Sequence, residues 1–398
     1  MKNLQNYKIK NKKILFRADL NVPVVDGLIT DTSRIQAIKS SIEILLSNKN
    51  KIFLIAHFGR PKGKIVDKYS LNFILPSLRE TLNLDKVFFL DNFDQASVET
   101  KINEMHAGNL CLIENIRFLK EEENIDLNFA KKFSSSFDVY VNDAFSSSHR
   151  AHTSIIGFPK FLPAVAGHHM IKEIESINSF LNNAKKPNMA IVGGSKISTK
   201  IQLLNNLIEQ FSVVAIGGAM ANTFLLANNY NLGKSLIEKD LIQEAKNIQL
   251  KANQSNCELI LPTDVLCGKN IHDTNPTHRK INEVLTEEMI LDIGDESTQN
   301  INNKIINSKM VLWNGPVGAF EFKPYDKATN AIANIIKINS KKLNINTLAG
   351  GGDTVSAIKN ANAEDGFDYI SNAGGAFLEW LEGDESPGVK SLKENNFT

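Results

Sequence analysis

Residues 51–64 read "KIFLIAHFGRPKGK". Ile52 to Ala56 form an apolar run of strand length, unbroken as in strands buried on both faces. The run stops at His57, and Arg60, Lys62 and Lys64 follow closely. A strand of this kind belongs to a parallel sheet covered by helices, where ligands bind at the carboxyl ends of the strands. A histidine and a guanidinium delivered there point to an anion.

The same plan extends outward on both sides. In the first half, strand candidates are Ile14 to Arg17, Ile52 to Ala56, Val87 to Leu90, Leu110 to Glu114 and Val139 to Asn142. Helical periodicity fills the intervals, as in "SRIQAIKSSIEILLSNK" and "SLNFILPSLRETL". In the second half, candidates are Met189 to Val192, Val213 to Ile216, Leu259 to Leu261, Met310 to Trp313, Thr347 to Ala349 and Tyr369 to Ser371. Short apolar strands alternating with helices predict an α/β fold with two doubly wound, Rossmann-like parallel-sheet domains. The stretch "GHHMIKEIESINSFLNNAKKPN" suits one connecting helix ending near Pro187, which places a hinge at 169–187 between domains at 1–168 and 188–371. The apolar stretches "FPKFLPAVAG" and "AFLEWLEG" read as core.

A chain of 398 residues suits two domains better than one core. With 42% hydrophobic and 22% charged residues it has the mix of a globular protein. A net charge of +1 argues against general attraction to nucleic acid or membrane. No apolar stretch reaches the ~18 residues of a spanning helix. The start has no apolar segment followed by a small-residue cleavage site, so a cytoplasmic protein is expected. Cys111, Cys257 and Cys267 form no close pair, which fits a reducing compartment.

Of 45 lysines and arginines, only seven are arginine: Arg17, Arg34, Arg60, Arg79, Arg117, Arg150 and Arg279. Four follow strand candidates, in "ILFR", "FLIAHFGR", "CLIENIR" and "DVYVNDAFSSSHR", and Arg34 sits at a helix start in "TDTSRIQAI". Arginine grips carboxylate or phosphate with two bonds, whereas lysine is a point charge. Scarce arginines gathered at strand ends suggest one anion site. His149 and His152 lie beside it, but no Cys/His spacing fits structural zinc.

The strand ends of the second half carry glycine instead: "IVGGSK", "AIGGAM", "LWNGPVGAF", "LAGGGDT" and "SNAGGAF". Backbone can approach a flat or phosphorylated ligand closely there. "GGGDTVSAI" reads either as a phosphate-binding helix start or as a tight turn with Asp353 as N-cap. "GGSKISTK" places Lys196 and Lys200 four apart, on one face of a helix that begins after the glycines. Two ammonium groups so placed repel each other and oppose the helix dipole unless an anion joins them; two solvated surface lysines are the alternative.

Three functions fit a two-domain α/β chain of this kind. A phosphotransferase would hold an anionic acceptor in the basic half and nucleotide in the glycine half. A nicotinamide dehydrogenase would want G-x-G-x-x-G after a strand with an acidic residue about 20 positions on, and no glycine cluster matches. A two-lobed anion trap is typically exported, and no export signal is read.

The motifs "RADLNVP", "HFGRP", "ENIRF", "NDAFSSSHRAH", "GGSKISTK", "LWNGPVGAFE", "GGGDT" and "GGAFLEWLEG" occur in order over essentially the whole chain. In this the sequence resembles the phosphoglycerate kinase family. The resemblance implies a glycolytic enzyme, reversibly transferring a phosphoryl group between 1,3-bisphosphoglycerate and ADP to give 3-phosphoglycerate and ATP, with Mg²⁺. It implies a monomer whose two domains face each other across a cleft, joined by a helix, with in-line transfer after closure. It also implies that residues 372–398 return to the N-terminal domain. Matched by motif, Asp19, Asn21, Arg34, His57, Arg60, Arg117 and Arg150 would hold the glycerate substrate. Lys196, Lys200, Gly218, Asn314, Glu321, Gly351, Gly352, Asp353 and Thr354 would hold nucleotide, with Asp353 near the metal. Arg34, Lys196 and Lys200 would be catalytic. The chain departs from the family pattern at Ser146, Ser147 and Ser148, at Asn372 and Ala373, and at Ser386. None of these removes a charged site residue; the later two touch the segment linking the domains.

Overall fold

The computed structural model of the chain describes residues 1–397. By compactness it divides into two units, Met1–Glu175 together with the chain from Glu385 onward, and Ser176–Asp384.

The strands of unit 1 are β1 (Lys13–Arg17), β2 (Val24–Val25), β3 (Leu28–Ile29), β4 (Lys51–Ile55), β5 (Phe88–Leu90), β6 (Leu110–Ile113), β7 (Val139–Asn142) and β8 (Ala164–Ala166). Six of them form a parallel sheet in the order β5-β6-β4-β1-β7-β8, and β2 and β3 pair as a separate hairpin. β1 lies at the centre, in register with β4 on one side (Arg17 opposite Ile55) and β7 on the other (Arg17 opposite Asn142). The chain moves out to one side of β1 and then crosses to the other, so the strand order reverses at β1. Ligand crevices of open sheets lie at such reversals. Ile14, Phe16, Ile52, Leu54, Val139 and Val141 are buried in one core with Ile35, Ile38 and Ile42 of the helix Ser33–Ser47. That spacing gives the helix the apolar stripe that binds it to the sheet.

In unit 2, β9 (Asn188–Val192), β10 (Val213–Ile216), β11 (Glu258–Ile260), β15 (Met310–Asn314), β16 (Asn346–Gly350) and β17 (Tyr369–Ser371) form a second parallel sheet, ordered β11-β10-β9-β15-β16-β17. Its reversal lies between β9 and β15. Trp313, wholly buried, anchors the core on this side, its indole Nε1 donating to Gly315 O at 2.8 Å. A further sheet of three antiparallel strands, β12 (Asp264–Gly268), β13 (Thr277–Lys280) and β14 (Met289–Ile293), in the order β13-β12-β14, has no counterpart in the sequence reading. β13 is "THRK", with no apolar residue to signal a strand.

Several expected elements are shifted. "SLNFILPSLRETL" is not one helix: a 3₁₀ turn at Asn72–Ile74 precedes the helix Leu75–Leu82, with Pro76 in its first turn, where a missing N–H costs nothing. The helix assigned to 169–187 spans His168–Asn182, and the unit division falls inside it, after Glu175. The chain joins unit 1 from Glu385, not from Asn372. The helix Gly375–Leu381 stays in unit 2 because Phe377 packs against Gly350, where any Cβ would lie 2.5 Å from the Phe377 ring. From Glu385 the chain is tied into unit 1: Gly388 N donates to Ser148 O at 2.8 Å and Asn395 Nδ2 to Pro159 O at 2.6 Å.

Asp143, just past β7, accepts from Met170 N at 2.8 Å and so caps the start of the helix His168–Asn182. Gly167 has no room for a Cβ, which would sit 2.2 Å from the Asp143 carboxylate. Burial pushes this carboxyl up to about 7, although Ser41 and the helix amides pull it the other way. A group whose folded pKa is raised contributes stability that is fully present below its unfolded pKa, 3.8, and lost as pH rises through about 7. Asp143→Asn removes that loss. Its melting temperature relative to the parent chain should climb as pH goes from about 5 to about 8; thermal unfolding across this range checks it, and a constant difference refutes the assignment.

Candidate functional site

Each unit carries its own cluster of functional side chains at the carboxyl ends of its sheet. In unit 1 four strands contribute. β1 ends in Arg17 and leads to Asp19 and Asn21; β4 leads to His57 and Arg60; β6 leads to Arg117; β7 leads to Arg150. Arg34 enters from the first turn of the helix Ser33–Ser47.

The local geometry is set by small polar anchors. Asn115 is buried. Its Nδ2 donates to Phe58 O (2.7 Å) and Tyr69 O (2.9 Å), while its Oδ1 accepts from Phe58 N and Arg117 N. Glu114 accepts from Leu71 N at 2.7 Å and from Ser70 Oγ at 2.6 Å. These two residues of "ENIRF" fix the loop after β4, and the motif offered a signal for them that the arginine alone drew off. Asn21 Oδ1 accepts from Gly59 N at 2.9 Å, so Asn21 also holds this loop. Gly59 sits at φ +61, and a Cβ there would lie 2.4 Å from Tyr69.

The cluster has more cations than anions. Asp19 pairs with Arg34 Nη1 and accepts from Ser146 Oγ, one of the three serines that depart from the family pattern. Arg117, nearly buried, donates to Gly59 O at 2.8 Å and lies 3.9 Å from Glu123. Burial, then Arg150 and Arg17, push its pKa down to about 10. His57 is pushed well below the usual histidine range by burial, then by Arg17, Arg117, Arg34 and Arg150. Burial and Arg150 lower His149 as well. Arg60 is exposed. Arginines converging on a neutral histidine in a half-buried crevice have the makings of an anion site. Two supporting residues, Ser154 and Glu122, escape the sequence reading, whereas Arg17 is among its strand-end arginines. Arg17 lies buried under His57, and Ser154 and Glu122 support it from distant parts of the chain.

In unit 2 the backbones of the strand-end loops touch. A Cβ on Gly193 would lie 1.9 Å from Pro316 O, and one on Gly315 would lie 2.2 Å from Gly193 O. Gly218, at φ +66 before the helix Ala219–Ala227, would drive a Cβ to 2.6 Å from Gly194 O. Around this contact lies a cleft of about 460 Å³. Gly194, Gly218, Glu321 and Asp353 line its polar side, and Leu236, Ile271, Met289 and Phe320 its apolar side. Two helices, Ala219–Ala227 and Gly352–Asn360, begin there, the first with Met220 N already donating to Gly194 O and Ala221 N to Gly218 O, both at 3.0 Å. Such a cleft takes a flat apolar ring at one end and a polyanion at the other.

The lysine pair is not as the spacing predicted. The helix begins at Ile201, so Lys196 and Lys200 do not share a helical face. Lys200 stands at the N-cap and folds back, its Nζ donating to Asn314 Oδ1 (2.6 Å), Gly193 O (2.7 Å) and Asn314 O (3.2 Å). Lys196 is exposed beside Glu238, outside the cleft lining. Periodicity fails here because tertiary partners, not helical neighbours, direct the Lys200 side chain. Asn314 is committed to Lys200 and, through Nδ2, to Gly350 O at 2.7 Å. Thr354 accepts from Gly315 N at 2.7 Å. The helix that follows the triple glycine has Gly351 as N-cap, with Asp353 exposed in its first turn.

No group of three or more His, Cys, Asp or Glu side chains able to hold a metal is present among the described residues. Asp353, whose charge acts on Lys200, is an exposed carboxylate in the first turn of the helix Gly352–Asn360. This suits a divalent ion carried in on phosphates and steadied by one carboxylate. Cys111, Cys257 and Cys267 are buried and unpaired, and no described helix is long and apolar enough to cross a membrane.

A guanidinium-lined anion site on one α/β unit and a glycine-walled polyanion cleft on another define a phosphotransferase. Comparison with known proteins agrees. The family profile for phosphoglycerate kinase matches residues 4–384. The phosphoglycerate kinase of Caulobacter vibrioides is 43% identical over 393 residues, covering 98% of this chain and 99% of that protein. That of Bartonella bacilliformis is 41% identical, covering 99% and 98%. Among solved structures, phosphoglycerate kinase from Coxiella burnetii superposes with a TM-score of 0.87 at 34% identity, covering 99% of both chains. The chain belongs to the phosphoglycerate kinase family, glycolytic enzymes that transfer a phosphoryl group between 1,3-bisphosphoglycerate and ADP.

Burial pushes the Lys200 ammonium down to about 8, with Asp353 opposing. An anion favours the protonated form. Nucleotide affinity should therefore weaken as pH rises through about 8, with proton uptake on binding above it. Calorimetry in buffers of different ionisation enthalpy measures the uptake. Lys200→Ala should bind nucleotide more weakly and turn over more slowly, and show no uptake; wild-type binding with the uptake retained would remove Lys200 from the site.

Proposed function

We propose that unit 1 binds 3-phosphoglycerate and 1,3-bisphosphoglycerate through Asp19, Asn21, Arg34, His57, Arg60, Arg117 and Arg150. The carrying observation is the convergence of Arg17, Arg34, Arg117 and Arg150 on a buried His57, whose protonation all four disfavour. Asp19 and Asn21 act on this reading partly by holding Arg34 and the Gly59 loop. Unit 2 binds ADP or ATP. Lys200, the Gly351–Thr354 turn and Gly218 face the phosphates, Glu321 faces the sugar, and Asn314 acts through Lys200. Lys196 reaches the phosphates only when nucleotide is bound. Asp353 would help hold Mg²⁺ carried in on the nucleotide phosphates, and the ion would supply charge neutralisation on the phosphoryl oxygens.

The reaction asks little covalent chemistry of the protein. The acceptor is a carboxylate with a pKa near ~4, ionised at neutral pH, so no general base is required. Catalysis reduces to positioning and to stabilising the charge on the transferred group. The two ligands belong to different units, so in-line transfer requires closure about the chain near residues 169–187, which also excludes water. The protein works on this reading as a cytoplasmic monomer.

Arg34 is the arginine held in advance by a carboxylate, Asp19, at a helix start. A guanidinium fixed there is ready to follow charge as it spreads over the phosphoryl oxygens. Arginines in this role contribute about 10³ to 10⁵ in turnover. Arg34→Ala should lower kcat by roughly 10²-fold or more with a smaller change in glycerate KM, and Arg34→Lys should rescue only part. Arg60→Ala, removing an exposed ground-state contact, should mainly raise KM. Steady-state kinetics in the direction of ATP consumption with 3-phosphoglycerate decide this. A raised KM with unchanged kcat for Arg34→Ala would make Arg34 a binding residue only.

A further inference from the structure

Arg17 is 1% exposed, yet it is an arginine at the end of the central strand. It spends its donors inside the protein. Nε donates to Ser154 Oγ at 2.9 Å, Nη1 donates to Ala18 O, and Nη2 lies 3.2 Å from His57 Nδ1. A guanidinium has only donors to offer. The nitrogen that faces it must therefore present a lone pair. We propose that Arg17 is a positioning residue of the glycerate site, locking the His57 imidazole in the tautomer that carries its proton on Nε2.

The bonds behind Arg17 have a direction too. Ser154 Oγ accepts from Arg17, so its own proton goes to Glu122 Oε1 at 2.6 Å. Ser154 N donates to Glu122 Oε2 at 2.8 Å, and His152 Nδ1 lies 3.6 Å from Oε1. Burial alone would raise the Glu122 carboxyl, but His152, Arg17 and Ser154 outweigh it and keep it ionised. The buried guanidinium thus has a buried counter-charge through one hydroxyl, and the relay from Glu122 to His57 has one consistent set of donors and acceptors. Rotating Arg17 away would leave Glu122 without its cation and His57 without its tautomer.

The consequence is specific. The charged groups that act most on His57 are all cations: Arg17 on β1, Arg117 after β6, Arg34 on its helix and Arg150 after β7. A second proton on the ring would meet all four. His57 therefore offers its ligand one N–H donor from Nε2 and no charge. A cationic histidine would lose its hold on an anion as pH rises through the ordinary histidine range; a locked neutral donor does not.

The inference rests on the reading that His57 faces glycerate, and the test separates the two. The whole protein, labelled with ¹⁵N-histidine, is observed by two-bond ¹H–¹⁵N spectroscopy, with His57→Gln used for assignment. The expected spectrum shows His57 protonated at Nε2 and bare at Nδ1, unchanged from pH 8 to pH 5.5. Protonation at Nδ1, or titration near 6.5 in the parent protein, would overturn the proposal. Arg17→Met with Glu122→Gln removes both buried charges at once, so that neither is stranded. In that variant the ring should become a mixture of tautomers and titrate closer to 6.5, and the KM for 3-phosphoglycerate should rise about tenfold with less change in kcat. An unchanged tautomer and KM in the double variant would also overturn it. If the lock is seen but His57→Ala leaves that KM unaltered, the hold of Arg17 on His57 stands, while its role in the glycerate site, and the reading of His57 as a ligand, falls.

Discussion

Like-charge crowding is the constraint on which unit 1 is built. Arg17, Arg34, Arg117 and Arg150 converge on His57 from four elements of the fold. Each guanidinium is desolvated or faces another cation, which in isolation disfavours the folded state. The sheet tolerates this because its central strands are buried and fully paired, and because two carboxylates are placed to take part of the charge. Asp19 takes Arg34, and Glu122 takes Arg17 through Ser154. A third, Glu123, lies 3.9 Å from Arg117 Nε, and the four arginines still outnumber these carboxylates. On the proposed reading, an anion of the size of a phosphorylated carboxylate supplies what the protein withholds, and strain stored at the site is released when it binds.

Unit 2 solves the complementary problem with backbone. At the reversal between β9 and β15, Gly193 and Gly315 bring two main chains closer than any side chain permits. That approach places Asn314 where it can hold Lys200, and puts Gly218 and Asp353 around a common cleft. Lys200 contributes its charge without an ion pair of its own. Carbonyl and amide oxygens hold it, so the ammonium stays partly uncompensated until polyanion binds. Both units therefore keep charge in reserve, of the sign their ligands lack.

Much of this architecture is legible in the amino-acid sequence. Short apolar runs locate all six strands of the second parallel sheet and five of the six of the first, because strands buried on both faces have no choice but to be continuously apolar. Ala164–Ala166 reads only as core, since three small residues carry no period. The rarity of arginine in a lysine-rich chain exposes the anion site directly. What stays hidden depends on long-range partners. Arg17 meets Ser154 across 137 positions, and Lys200 meets Asn314 across 114. Local spacing predicts a helical lysine pair, and tertiary hydrogen bonds override it. The antiparallel sheet is hidden for a different reason: its strand Thr277–Lys280 is polar and part-exposed, held by backbone pairing with Asp264–Gly268 and by polar contacts of His278 with Asp264 and of Arg279 with Glu288.

The central claim is that the arginine cluster is held at a cost which the anion relieves. Arg150 tests it most directly, because it lowers the pKa of Arg117 and its guanidinium Nε is bonded only to His149 among the described residues. The measurement is the thermal unfolding midpoint of wild type and Arg150→Met, each with and without saturating 3-phosphoglycerate and no nucleotide. The account predicts that the ligand-free variant is at least as stable as wild type and that its ligand-induced rise is largely lost. A variant that is less stable without ligand yet keeps the full rise would contradict it.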